Sequence, residues 1–468
     1  MNVFSKLSIE NNKKGGLFWL FMNRTLINQL HEHLDKEVLL KGWVQDLRNL
    51  SKIKFLILRD RTGDMQTIAL KGTTDEASFT AIGDITNESV VEIVGTPKKN
   101  KESRWGIEVL IKKITVLSSA ATPLPIDNSD KGLTHIDKRI DHRFLDTRNL
   151  KKQAIFKVRG KISKILTNFF DSKGFTNINT PKITTIGVES GAELFILDYF
   201  GKPAYLAQSP QIYKQMFVTG GFERVYELGP VFRAERSHTT RHLTEFTGVD
   251  FEMGFIDDYD DVMDLIEEMF VNLMSNLSKE AVEELKTLGV ELVVPKKIPR
   301  ITMDEAKKML AKSSHSVRDV PGGTKGKKYG KDEDLDAEGE RLLGELVKEK
   351  YGSEFVFITL FPAAVRAFYH MKPEGKADVT KSFDLLFNGV EISTGAQREH
   401  RYEILKKQAK AKGLDLDKME EYAEIFKYGV PPHGGAGFGL DRITQRLLKL
   451  DNVREAVLLP RDPERTKP

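Results

Sequence analysis

The chain has 468 residues, 40% of them hydrophobic and 30% charged, with a net charge of +4 and no cysteine. That balance belongs to a folded globular chain and excludes a disordered or fibrous one, and the length supports at least two hydrophobic cores. Lacking cysteine, the chain has neither disulfides nor thiolate metal sites, which fits a cytoplasmic location and leaves oxygen or histidine to hold any metal. The apolar run from Leu17 to Met22 is only six residues long, far short of the roughly 20 a spanning helix needs, so no membrane partner is expected. The small net charge rules out a blanket polycation; no DNA partner is expected, although a local basic surface for another polyanion is compatible with it.

Taken in chain order, the pattern from about Glu37 to Val116 predicts short strands at Val38–Val44, Phe55–Arg59, Met65–Leu70, Ser89–Gly95 and Gly106–Leu117. The turn-forming cluster Asp60-Arg61-Thr62-Gly63-Asp64 joins the second and third as a hairpin. Strands this short and this closely spaced suit an OB-type barrel, placed at residues 22–118. A polar, proline-containing stretch begins at Ser118 and opens a linker over 119–150. From Ala154 the period changes: Ile155, Val158, Ile162, Ile165, Leu166, Phe169 and Phe170 form one stripe at helical spacing, ending near Gly174. Strands at Val225–Leu228, Thr247–Glu252, Phe355–Leu360 and Phe383–Phe387 then alternate with helices such as Tyr259–Leu277. This makes residues 151–468 an α+β domain on a largely antiparallel sheet with flanking helices. The polar run Gly322–Lys328 marks a flexible insertion near 313–336.

The glycine run Gly434-Gly435-Ala436-Gly437-Phe438-Gly439 lies close to the chain end. A dinucleotide fingerprint would follow the first strand of a βαβ unit, so this run is not one. A Walker-type phosphate loop is also missing from the sequence. Any use of ATP therefore calls for a different architecture.

Three segments read together supply one. The first is the amphipathic helix with Gly174-Phe175-Thr176-Asn177-Ile178-Asn179-Thr180-Pro181; the second runs from Val231-Phe232-Arg233-Ala234-Glu235 to Arg241-His242-Leu243-Thr244-Glu245-Phe246. The third is the glycine run ending in Leu440-Asp441-Arg442. In this order and spacing they resemble the three signature motifs of class II aminoacyl-tRNA synthetases, and the resemblance runs from about Met22 to the C-terminus. Two further segments, Gln208-Ser209-Pro210-Gln211-Ile212-Tyr213-Lys214-Gln215 and Gly389-Val390-Glu391-Ile392-Ser393-Thr394-Gly395-Ala396-Gln397-Arg398, are similar to the substrate pocket of the archaeal-type aspartyl-tRNA synthetases. A carboxylate substrate suits a bidentate guanidinium and a second cation, here Arg398 and Lys214. Neutral asparagine would leave one of those charges poorly paired, a mismatch on the order of 10⁴ in discrimination. Lys214 is the main discriminator from the asparaginyl relatives.

The resemblance implies a role for each matched residue. Arg233 and Arg442 are the catalytic pair, Arg233 neutralising the α-phosphate and Arg442 holding ATP from the opposite side. Phe246 stacks on adenine, Glu235 accepts from it, His242 lies over the distal phosphates, and Arg241, Leu243, Thr394 and Gly439 complete the nucleotide site with Glu391. Glu189, Gln211 and Asp250 receive the substrate ammonium, alongside Lys214 and Arg398 at the aspartate side chain. Asp384, Glu391 and Thr394 are the magnesium candidates, carboxylates suited to an ion bridged by phosphates. Such a site needs no protein nucleophile, since the substrate carboxylate attacks ATP itself. The resemblance further implies L-aspartate, ATP, Mg²⁺ and tRNA-Asp as ligands, and a homodimer with Pro181 near the subunit boundary.

At the tRNA end, OB barrels present a strand face on which unpaired bases stack. Phe55 is so placed; Gln66 matches the position that reads the central anticodon base, and Arg48 a backbone or base contact. Gln45 stands where relatives restricted to tRNA-Asp carry tryptophan, which leaves tRNA-Asn open as a second acceptor. Ala436 and Ala367 replace a phenylalanine and a proline common in relatives, and are expected to alter packing only. The alternatives are an asparaginyl-tRNA synthetase and a non-catalytic tRNA-binding paralogue. Residues 1–21 precede the resemblance; Lys14-Gly15-Gly16 is what a purine-rich ribosome-binding stretch would encode, so Met22 is the expected start.

Overall fold

The computed structural model describes residues 23–129, 133–185, 194–236, 239–313 and 328–468. The expected N-terminal extension and most of the insertion lie outside these residues. Two compact units emerge, divided between Asp127 and Asn128.

In the first unit the alternation of apolar and polar residues produces β1 (Val38–Asn49), β2 (Ile53–Asp60), β3 (Gly63–Leu70), β4 (Val90–Lys99) and β5 (Ile107–Ser118), with the short helix α1 (Glu76–Ala81) between β3 and β4. They close into a barrel in the order β1-β2-β3-β5-β4. Leu40, Val44, Leu56, Leu58, Met65, Val91, Ile93 and Val109 fill its interior. Strand β1 outruns its expected end because a bulge between Val44 and Asp46 resets the inside–outside alternation. Beyond that bulge Arg48 comes opposite Phe55.

The second unit opens with α2 (Ile136–Asp141) and α3 (Arg143–Asp146), inside the stretch expected to be linker. The correction has an electrostatic cause. Beside Ile140 and Leu145 these helices bury charge: Arg143 pairs with Asp146 at 2.7 Å and donates to the carbonyls of Arg454, Val457 and Leu458 at 2.8 to 3.1 Å. Two apolar residues in helices this short are too few to make a stripe at helical spacing. The stripe that was expected is α4 (Leu150–Ser172), capped by the Asn149 side chain and followed by β6 (Thr176–Asn177), β7 (Ile183–Thr184), β8 (Ile196–Tyr199), β9 (Lys202–Leu206) and α5 (Gln211–Phe217).

Next come β10 (Arg224–Phe232), β11 (Glu245–Gly254), α6 (Tyr259–Glu280), α7 (Val282–Leu288), β12 (Arg300–Thr302), α8 (Met303–Lys312) and α9 (Ala337–Tyr351). The chain ends with β13 (Phe355–Thr359), β14 (Ser382–Phe387), β15 (Val390–Gln397), α10 (Tyr402–Ala411), α11 (Glu420–Ile425), β16 (His433–Gly439) and α12 (Leu440–Leu447). Eight strands form the main sheet in the order β12-β13-β14-β15-β16-β11-β10-β6. It is antiparallel except at its ends, where β12 runs parallel to β13 and β6 to β10. One face buries Phe251, Phe355, Phe383 and Phe438 against the apolar stripes of α4 and α6, leaving the central strands to present polar side chains elsewhere. Among the described residues no helix is long and apolar enough to cross a membrane.

Candidate functional site

The site grows out of a pairing of glycines with carboxylates on adjacent central strands. In the β11–β16 register Gly248 faces Gly439, Asp250 faces Gly437 and Glu252 faces Gly435. Alternate residues of a strand share a face, so Asp250 and Glu252 project together. The glycines opposite are what make room. A Cβ on Gly437 would lie 2.8 Å from Asp250 Oδ1, and one on Gly435 2.4 Å from Glu252 Oε2. The glycine run therefore works as a flat strand beneath two carboxylates.

Two cations neutralise them. Arg398, at the end of β15, donates Nε and Nη2 to Glu252 at 2.8 and 3.2 Å, and Nη2 also to the Gly435 carbonyl at 2.9 Å. Lys214, on α5, donates to Asp250 Oδ1 and to the carbonyls of Phe251 and Ala436 at 3.0 to 3.2 Å, and lies 3.5 Å from Glu252. Burial alone would raise the Glu252 carboxyl; the Arg398 and Lys214 charges outweigh it and hold the group below its usual range. His433 stands behind. Its Nδ1–H donates to Pro431 O, so the neutral ring accepts from Gln215 Nε2 at Nε2, and burial drives its pKa down to about 4.

A cavity of about 770 Å³ opens over this cluster. Gln211, Asp250 and Arg398 form one end, while Arg233, Glu235, Arg241, His242, Leu243, Phe246, Glu391, Thr394, Gly439 and Arg442 line the rest. The sequence-predicted residues thus meet in one space, with three qualifications. Lys214 does not line the cavity; its three N–H bonds are taken by the acceptors named above, so it supports Asp250 and Glu252 from behind. Asp384 is likewise set back, paired with Arg366 at 2.5 Å. Glu189 lies outside the described residues.

The other end of the cavity is looser. The Arg233 guanidinium stands 5.4 Å from the centre of the Phe246 ring and 3.8 Å from Glu235. Arg442 donates to the carbonyls of Arg241 and Glu391 at 3.3 and 3.1 Å, its guanidinium 4.0 Å from the Glu391 carboxylate. Helix α12, which carries Arg442, is fixed by Asp441, an acceptor for Arg159 at 2.8 Å and for the Thr247 N–H at 3.0 Å. Burial and the Arg442 charge lower the His242 pKa below its ordinary value.

For a metal, the donor chemistry is oxygen. Glu391 faces the cavity with the Thr394 hydroxyl 3.3 Å from its carboxylate, and Asp384 Oδ1 is buried with no hydrogen-bond partner among the described residues. Burial pushes the Asp384 carboxyl above the usual range, with Arg366 opposing and Glu391 reinforcing the rise. No cluster of three or more ligating side chains occurs among the described residues. The residues fit a hard cation that keeps water and phosphate ligands, as magnesium does.

On the barrel, Arg48 on β1 and Ile68 on β3 are the register partners of Phe55, and Gln66 is that of Ile57. Phe55 and Gln66 stay outside the barrel core, half-buried, on one outer face. Pro181 is exposed, between β6 and β7, in a segment tied to β10 by Glu227, which accepts from Thr180 N–H and Lys182. Sequence reasoning missed Glu252, Arg366, Gln215, His433 and the Arg159–Asp441 pair. Signals existed for three of them: Glu252 is spaced two from Asp250 on a predicted strand, while Gln215 and Asp441 lie inside motif segments quoted above.

A family model described as class II tRNA synthetases (D, K and N) matches residues 135–463, and one described as an OB-fold nucleic acid binding domain matches residues 38–117. Among curated proteins, the aspartate–tRNA(Asp) ligase of Pyrococcus abyssi is 42% identical over 443 residues, covering 94% of this chain and 98% of that one. The aspartate–tRNA(Asp/Asn) ligase of Aeropyrum pernix is 43% identical over 427 residues, covering 91% and 94%. Among solved structures, asparaginyl-tRNA synthetase from Pyrococcus horikoshii with asparaginyl-adenylate superposes with a TM-score of 0.87 at 31% identity, covering 95% of this chain and 100% of the other. An aspartyl-tRNA synthetase from Leishmania major gives 0.84 at 31%, covering 99% and 97%.

Proposed function

The chain belongs to the class II tRNA synthetases for aspartate, lysine and asparagine, and on that premise we propose that it activates L-aspartate with ATP and transfers the aspartyl group to the 3′ end of tRNA-Asp. The observation that carries the reading is the single cavity joining a fully enclosed cation–carboxylate cluster to a row of arginines and an aromatic ring.

In the first step an oxygen of the substrate α-carboxylate attacks the α-phosphorus of ATP, the bond to the bridging oxygen breaks, and pyrophosphate leaves. Arg233 neutralises charge growing on the α-phosphate, with Arg442 gripping from the other side and Phe246 stacking on adenine. A terminal ribose hydroxyl of tRNA then attacks the adenylate carbonyl and AMP departs. The protein supplies position and charge throughout. Glu391, backed by Asp384 and flanked by Thr394, would hold magnesium, which when bound supplies positive charge between the phosphates.

Arg398 takes the substrate side-chain carboxylate. Two of its nitrogens are fixed by Glu252, and Nη1 makes no hydrogen bond among the described residues. Lys214 contributes by locking Asp250, which with Gln211 receives the ammonium group. Glu189 is assigned to the same group by resemblance. The outer face carrying Arg48, Phe55 and Gln66 takes the anticodon, and a homodimer would join near Pro181. As a translation enzyme the protein would work in the cytoplasm. The Aeropyrum pernix relative, an aspartate–tRNA(Asp/Asn) ligase, supports tRNA-Asn as a second acceptor here.

Pyrophosphate exchange tests the amino acid: aspartate should drive it and asparagine should stay at background. Equal exchange with asparagine, or none with aspartate, overturns the reading. Charging of purified tRNA-Asp and tRNA-Asn then decides the acceptor range.

A further inference from the structure

One half-buried carboxylate at the nucleotide end has no part in the chemistry above. Glu340 lies in the first turns of α9, its side chain 14% exposed, and accepts from Arg241 Nη1 at 2.9 Å and from the Glu391 N–H at 3.3 Å. Both partners line the cavity. Glu340 is thus wired to the guanidinium assigned to the nucleotide and to the backbone of the principal magnesium candidate at once.

Its position is specified by close backbone approach. A Cβ on Gly344 would fall 2.6 Å from the Cα of Gly389, and one on Gly389 would fall 2.8 Å from the Cα of Arg341. Gly389 also has a φ of 70°, which favours glycine. Only with glycine on both sides can α9 sit against the β14–β15 turn closely enough to deliver Glu340 to Arg241. The same ring of contacts is completed by Arg442, which donates to the carbonyls of Arg241 and Glu391.

We propose that Glu340 is a positioning residue that sets how tightly the site holds polyphosphate, by keeping Arg241 ion-paired within the nucleotide end of the cavity. The inference rests on the nucleotide-site reading of that end. Its physical content is a balance of two effects. The pair keeps a long, flexible side chain in one place, and it sets a negative charge beside the guanidinium that weakens its pull on the anionic leaving group. A site built to retain ATP long enough for reaction yet release pyrophosphate is served by such tempering.

The test uses the full chain and equilibrium binding of pyrophosphate and of ATP, with aspartate-dependent exchange measured separately. Glu340→Gln keeps an acceptor of the same shape and removes the charge. It should tighten pyrophosphate binding and lower the ATP KM by about tenfold each, leaving the aspartate KM within about twofold. In an Arg241→Gln background the same substitution should have no effect, since Glu340 acts through Arg241. Unchanged pyrophosphate binding in Glu340→Gln overturns the proposal, as does a gain that survives in the Arg241→Gln background or a parallel shift in the aspartate KM. A wild-type chain that binds pyrophosphate but shows no aspartate-dependent exchange overturns the functional reading alone.

Discussion

The two ends of the cavity are built on opposite principles. At the amino-acid end Lys214, Glu252 and Arg398 are almost wholly buried and joined by bonds of 2.8 to 3.5 Å. At the nucleotide end the Arg233 and Glu391 side chains are 39% and 37% exposed and their own nearest opposite charges stand 3.8 and 4.0 Å away, although Arg241 beside them is paired with Glu340 at 2.9 Å. A buried, fully matched cluster admits little rearrangement, so it can discriminate between a carboxylate and an amide that differ by one charge. On the proposed assignment the open arginines have the opposite task of meeting a large, flexible polyanion that arrives and leaves. Rigidity is placed where chemical selection is needed, and slack where turnover is.

The largest effect should come from breaking the rigid end. Arg398→Ala leaves Glu252 charged and buried without its bidentate partner. A loss of about 3–5 kcal/mol in urea denaturation is expected, and a change under about 1 kcal/mol would mean that the cluster does not depend on the pair. The slack end should behave in reverse. Arg233→Ala should lower the exchange rate by about 10²–10³-fold, as expected for removing a transition-state charge partner, while stability moves by less than about 1 kcal/mol because its surroundings are solvated. Comparable stability losses in both variants would dissolve the contrast.

The difference between the ends also governs what was legible in the sequence. Arg233, Phe246, Glu391 and Arg442 stood in recognisable motifs, and the structure gathers them around one space. The helix α4 and the strands β10, β11, β13 and β14 followed from periodicity, because their apolar faces fill the core. What escaped was the support behind the first layer of side chains. Lys214 read as a direct ligand because a motif records which residues matter and says nothing of whether an ammonium reaches the cavity or stops at Asp250. Gln215 and His433 are 218 residues apart and meet only through the sheet. The helices α2 and α3 were missed for the same reason, since Arg143 and Asp146 satisfy each other in the interior while looking like surface residues in sequence.

Acid should sharpen the contrast next. His433 is held neutral at a pKa of about 4, below its ordinary 6.5, by burial, with Glu252 opposing the shift. The unfolded chain therefore takes up the proton first. The stability tied to the neutral ring is present in full above about pH 6.5 and is lost progressively as the pH falls towards 4, a change of about 3 kcal/mol. His370, also driven down by burial, adds a contribution of the same sign. Urea denaturation at pH 7 and at pH 4.5 should show a smaller difference in His433→Gln than in wild type, the His370 contribution remaining in both. An identical pH dependence would show that the ring beneath the aspartate end is not held neutral by the fold.

The smallest effect is the sharpest comparison, because it asks one added methyl group to report on both ends of the same strand pair. At Gly437 a Cβ would sit 2.8 Å from Asp250 Oδ1, a carboxylate already pinned by Lys214 at 3.0 Å. At Gly439, two residues along the same face, the nearest atom is the Arg442 Cβ at 3.7 Å, an ordinary contact. Gly437→Ala should therefore lose about 1–3 kcal/mol through overpacking and raise the aspartate KM as Asp250 is displaced, whereas Gly439→Ala should stay within about 0.5 kcal/mol of wild type. Thermal unfolding of the two variants with aspartate titrations settles it. Equal tolerance at both positions would mean that Asp250 can move, and an amino-acid end whose carboxylates move could not select by fixed charge.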